Sequence, residues 1–159
     1  MRNRLALVTL ATLGACGDMS SASVTTMSDA SPADAAVEDL AMSLADFANI
    51  QGYMTPTGRR YRVANPLGHE AEALAAASSP TGGSFPVGSI VAAQPTEVMV
   101  KRRAGFDATT NDWEFFGITL AADGTTPESF NQRGTEQTSC FECHQMVSSI
   151  TWDYMCDHP

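Results

Sequence analysis

The chain has 159 residues, room for one ordinary domain, and 43% of them are hydrophobic, which argues for a packed core and against wholesale disorder. Charge is sparse and acidic, 9 basic against 18 acidic side chains for a net −9, and this excludes the phosphate-neutralising surface that nucleic-acid binding requires. No apolar run approaches the roughly 18 residues needed to span a bilayer.

Arg2 and Arg4, followed by the apolar stretch 5–14, have the form of a secretory signal. Leu13-Gly14-Ala15-Cys16 resembles the lipobox of bacterial lipoproteins, whose cysteine receives lipid and becomes the first residue of the mature chain. Residues 1–15 are therefore read as a signal peptide and Cys16 as a lipidation site. A plain signal peptide with an incidental cysteine is the alternative. Residues 16–36, mostly Ser, Ala, Thr and Asp, bury too little to offset their ordering entropy and read as a tether. The folded domain is expected over 37–159, exported and held on the periplasmic side, touching the membrane through its anchor alone.

Ser31-Pro32 is placed to open a helix, and Val37, Leu40, Ala41, Leu44, Phe47 and Ala48 follow at helical spacing until Gly52. A short strand is expected over 60–64, closed by Asn65-Pro66, and an alanine-rich helix over 70–77. A Pro-, Gly- and Ser-dense loop occupies 79–86. The period then changes to two: 89–93 is a strand stopped by Pro95, and Val98 and Val100 alternate within a second one. After a turn cluster at 107–112, the aromatic and β-branched run 113–120 should pair back onto it as a hairpin. Asp123-Gly124 ends that strand, and a polar loop is expected to about Thr138. The fold class is α+β, a small antiparallel sheet flanked by helices.

Four cysteines, Cys16, Cys140, Cys143 and Cys156, are too unevenly spaced for a disulfide framework. Cys140-Phe141-Glu142-Cys143-His144 is instead a Cys-x-x-Cys-His motif, the pattern of c-type haem attachment. Two thiols add across the haem vinyl groups, and the adjacent imidazole then lies beneath the iron as its axial ligand. Ser139 with Glu142 three residues later reads as a capping box starting a helix, on which Cys140, Cys143 and His144 share a face. Two other uses of the residues stay open. One is a redox Cys-x-x-Cys pair. The other is a closed zinc site from Cys140, Cys143, Cys156 and either His158 or His144.

Several segments in order resemble the cytochrome P-460 family and its relatives, the β-type cytochromes c′. They are Arg60-Tyr61-Arg62-Val63, Asn65-Pro66, the strand region 85–91, Val98-Met99-Val100-Lys101 leading to Phe106, the aromatic segment 111–116, the haem motif, and Asp153-Tyr154. The resemblance covers roughly 46–154. It implies an antiparallel sheet with helices around one covalent haem c, a five-coordinate iron ligated by His144, and an open distal side for nitric oxide, carbon monoxide or a related small nitrogen ligand. It also implies a redox partner protein and leaves a homodimer open. P-460 proteins oxidise hydroxylamine and carry a lysine–haem cross-link. The corresponding position here is Ala93, and the only lysine of the chain, Lys101, aligns with the next strand.

Other residues complete the expectations. Lys101-Arg102-Arg103 is read as a solvated run or as a partner for haem propionates. Trp113 and Phe115 should face one side of their strand and Phe116 the other, with one face lining the haem pocket together with Lys101. Met99, Met155, His69 and His158 are candidate sixth ligands, whereas Met146 follows His144 too closely to reach the opposite face of the iron. Glu114, Glu128 and Glu136 are weighed as distal proton relays against a default of surface carboxylates. A six-coordinate electron carrier remains the alternative function.

Overall fold

The structure is a computed structural model and describes residues 37–157. The signal, the tether, the Ser31-Pro32 helix start, Cys16 and His158 lie outside the described residues. Five antiparallel strands form one sheet in chain order. They are β1 (Arg62–Ala64), β2 (Ile90–Gln94), β3 (Glu97–Lys101), β4 (Trp113–Leu120) and β5 (Pro127–Gly134). Two α-helices, α1 (Glu70–Ser78) and α2 (Ser139–Val147), and two 3-10 helices, Leu44–Gly52 and Ile150–Trp152, accompany the sheet. The α+β expectation therefore holds.

The β3–β4 hairpin is as expected, with Met99 opposite Phe115 and Lys101 opposite Trp113. The segment expected as a polar loop contains β5, which pairs along β4 from Phe115↔Gly134 to Leu120↔Pro127. β5 is an edge strand of mostly exposed or half-buried residues, so it lacks the apolar alternation that marks an inner strand. The first helix also differs. It begins only at Leu44, where Ser43 and Asp46 form a capping box, and it is a 3-10 helix. Its buried residues, Phe47 and Ile50, are three apart, the repeat of a 3-10 helix.

The two faces of the sheet bury different clusters, as strand alternation demands. Trp113 and Phe115 join Tyr61, Val63, Val91, Met99, Phe85 and Phe141 on one face. Phe116 and Ile118 join Phe47, Ile50, Ile90, Val98 and Val100 on the other. Each fully buried large side chain contributes about 1.5–3 kcal/mol, so the aromatic β4 is the energetic spine of both layers. On the second face Arg102 sits between Asp39 and Glu114, and Glu114 also accepts from Arg133.

Asp39 takes a two-pronged hydrogen bond from Arg102, at 2.9 and 2.8 Å. This bond chiefly pulls its carboxyl down to about 2, with burial opposing and the Arg103 amide assisting. The folded value lies below the ordinary 3.8, so the stabilisation is complete above that value and is lost as pH falls towards 2. Wild-type acid unfolding, followed by circular dichroism, should therefore be steeper in that window than unfolding of Asp39→Asn. Equal slopes would show that the pair adds nothing.

Candidate functional site

The Cys-x-x-Cys-His motif lies on α2, which starts one residue earlier than the capping-box reading implies. Thr138 is the N-cap, its hydroxyl accepting from the Phe141 amide. Ser139 turns its hydroxyl to Gln132 of β5 instead. Phe141 is driven into the sheet against Phe115, and this anchors the helix.

A cavity of about 600 Å³ opens between α2, the sheet and the C-terminal segment. That size lies within the roughly 300–1,000 Å³ of sites for small molecules and cofactors. Cys140, Cys143 and His144 all line it. The opposite wall includes Val91, Met99 and Phe115, a row across three neighbouring strands in direct register. Met155, Cys156 and Asp157 contribute a further wall. Arg60, Ala93, Gln94 and Glu97 also line the cavity, and Arg60 is the sole lysine or arginine there among the described residues.

His144 is held in a defined state. Its Nδ1 lies 2.6 Å from the Tyr154 carbonyl, a pure acceptor, so Nδ1 carries the proton and Nε2 is left with its lone pair. Burial pushes this imidazole below its ordinary value, favouring the neutral, ligand-competent form. Phe115 packs its ring against the imidazole at 5.3 Å. The three described cysteines are free thiols. The Cys140 thiol donates to Gln132 Oε1 at 2.8 Å, and burial pushes this thiol up, disfavouring the thiolate. Burial pushes Cys156 up to about 11, and its sulfur lies 3.3 Å from His144 Nδ1.

The segment that presents Tyr154 is fixed by Asp153. This carboxylate is wholly buried and accepts from Lys101 Nζ, Trp113 Nε1, Asn111 Nδ2 and the Phe85 amide at 2.6–2.9 Å. Gly82, at φ +84°, lets the preceding loop close against Thr151, where any Cβ would lie 2.2 Å from the Thr151 carbonyl oxygen.

Several expected pocket residues are elsewhere. Lys101 is buried against Asp153 and Arg102 against Asp39 and Glu114, so neither is solvated and neither lines the cavity. Arg103 is exposed and outside it. Trp113 belongs to the same core layer as Phe115 but stands outside the cavity lining, and Phe116 faces the other layer. Glu114 is neither a surface carboxylate nor a relay, because the β4 alternation carries it to the far layer beside Arg102. Glu128 and Glu136 are exposed away from the cavity. Among the candidate sixth ligands, Met99 and Met155 line the cavity. His69 instead meets Glu38 near the surface, and Met146 is exposed. Among the described residues no three His, Cys, Asp or Glu side chains come together to hold a metal ion, and His158 of the zinc alternative lies outside them.

The sequence marks Asp153-Tyr154 only as a segment of the resemblance and gives no sign of Asp153 as a structural hub. Nor does it mark Gln94 and Glu97, whose place follows from the β2–β3 turn at the cavity mouth. Comparison of the chain with protein-family models, with curated proteins and with solved structures gives no match.

Proposed function

We propose that the protein is an exported monohaem cytochrome of the P-460 or c′-β type, anchored through lipid on Cys16, that binds or redox-processes nitric oxide or a related small nitrogen ligand. The observation that carries this reading is the cavity shared by Cys140, Cys143 and His144, with the His144 Nδ1 proton committed to the Tyr154 carbonyl. A metal-ligating histidine ordinarily spends its other nitrogen in this way, which fixes ring and tautomer.

The donor set fits a c-type haem: two thiols for covalent attachment, one neutral imidazole, an apolar wall and a cavity of cofactor size. When bound, the haem supplies an iron that takes a small ligand and exchanges one electron. The residues of the chain do the rest. Cys140 and Cys143 would hold the group covalently and His144 Nε2 would ligate its iron. Phe115 and Val91 exclude water from the cavity wall, and Arg60, paired with Asp157 at 3.7 Å, is the one lysine or arginine cation lining it among the described residues. Ala93 lines the cavity at the position where the resemblance places the cross-linking lysine, and Lys101 is committed to Asp153. This favours ligand binding over hydroxylamine oxidation of the cross-linked kind.

Met99 and Met155 support a second reading, a six-coordinate electron carrier, because each brings a thioether to the cavity. One experiment separates the two. The full chain is exported alongside haem-attachment machinery, and absorption is recorded oxidised, reduced, and reduced with carbon monoxide or nitric oxide. A covalent high-spin haem that binds the gases is expected. A low-spin spectrum indifferent to them would establish the electron carrier, and a colourless protein would end both readings.

A further inference from the structure

Asp153 and Tyr154 both have left-handed backbones, with φ of 49° and 60°. Non-glycine residues are strained in this region, so two in succession persist only where the surroundings impose them. Backbone bonds that close the preceding 3-10 helix, Asp153 N–H to the Ile150 carbonyl and Tyr154 N–H to the Ser149 carbonyl, set the turn, and four donors on the Asp153 carboxylate tie it to the sheet. They come from separate places: Phe85 in the loop before β2, Lys101 at the end of β3, Asn111 in the β3–β4 turn and Trp113 at the start of β4. Both carboxylate oxygens are used, Oδ1 by Lys101, Asn111 and Trp113 and Oδ2 by Lys101 and Phe85. The very next residue supplies the carbonyl that meets His144 Nδ1.

Burial of this segment alone does not call for a carboxylate. A well-packed apolar residue serves as well or better in a dry core, since a buried ion pair recovers at best most of its desolvation cost. What an apolar residue lacks is direction. Asp153 fixes the orientation of the 153–154 peptide groups relative to the sheet, and the sheet also carries Phe115 against the His144 ring. We propose that Asp153, with Lys101 as its counter-ion, is a positioning residue for His144. Its network locks the left-handed Asp153-Tyr154 pair so that the Tyr154 carbonyl holds the imidazole in the Nδ1–H tautomer and leaves Nε2 free to ligate. Lys101 thereby has a role that is neither surface charge nor cross-link. Only the assignment of iron as the metal rests on the haem reading; the tautomer control does not.

The test uses the full chain as wild type, as the double variant Lys101→Met/Asp153→Asn and as Asn111→Gly. The double variant removes both charges together, and its amide offers one acceptor oxygen where the carboxylate offers two. Asn111→Gly keeps the left-handed backbone of position 111 and deletes one donor, so a folded variant is available if the double one fails. Nitrogen-15 NMR of the haem-free chain reads the His144 tautomer, and resonance Raman of the ferrous haem-loaded chain reads the iron–histidine stretch. The wild type should show a single Nδ1–H tautomer. The double variant should show a mixture and a lowered stretch, with a smaller shift of the same sign in Asn111→Gly. Folded variants that keep the wild-type tautomer and stretch would overturn the proposal and reduce Asp153 to a stability element. If no haem attaches, the haem reading falls while the tautomer measurement still decides whether Asp153 positions His144.

Discussion

Lys101→Met is expected to destabilise the protein by about 3–5 kcal/mol, because it leaves the Asp153 carboxylate buried without its counter-ion. Asp153 has no exposed side-chain surface and the Lys101 side chain is 8% exposed, so water cannot compensate either one. The ammonium also donates to the Asn111 carbonyl at 2.7 Å and lies over the Trp113 ring, so the substitution removes more than one contact. Asp153→Ala should be as severe, since it strands the ammonium and frees the Trp113, Asn111 and Phe85 donors together. The double variant Lys101→Met/Asp153→Asn should recover a large part of the loss. Denaturant titrations of the three variants, analysed as a cycle, measure this. A Lys101→Met loss below about 1 kcal/mol would show that the pair is solvated and that the buried network does not exist as described.

The same pair shows where sequence reading stops. Lys101-Arg102-Arg103 is a conspicuous basic run, and local context makes it either a solvated face or a propionate clamp. The partners that decide otherwise are remote: Asp153 lies 52 residues after Lys101, and Asp39 lies 63 before Arg102. No local pattern marks such pairs. By contrast, β4 is legible to the residue, because its aromatic and β-branched content leaves little alternative over Trp113–Leu120. The split of Trp113 and Phe115 from Phe116 follows from strand alternation.

β5 is hidden for the opposite reason. Pro-Glu-Ser-Phe-Asn-Gln-Arg-Gly carries one large apolar residue, and its strand character comes from pairing with β4. The candidate site divides in the same way. Cys140, Cys143 and His144 are legible because their chemistry demands a fixed local spacing on one helix. The walls are assembled from β2, β3, β4 and the C-terminal segment, and only tertiary structure selects Met99 and Met155 from the other candidate ligands. Ala93 is an intermediate case: it lines the cavity, and its side chain offers no amine.

Cys140→Ser/Cys143→Ser is expected to abolish covalently bound haem altogether, whereas Cys156→Ser should leave it intact. Thioether attachment needs the two thiols of the motif, and both line the cavity as free cysteines. Cys156 also lines the cavity, but its sulfur lies 3.3 Å from His144 Nδ1, the nitrogen that haem ligation does not use. A zinc centre reverses the expectation, because a closed tetrahedral site needs its donors at about 2.0–2.3 Å from one point and makes Cys156 as necessary as Cys140. Folding would then also depend on metal, and a chelator would unfold the chain. Haem staining after denaturing electrophoresis, set beside thermal unfolding with and without a chelator, separates the two chemistries for all the variants. Staining lost in Cys140→Ser/Cys143→Ser and retained in Cys156→Ser, with melting indifferent to chelator, is the haem result. Chelator-sensitive melting with Cys156→Ser as damaging as the motif variant would remove haem from the cavity and put zinc in its place.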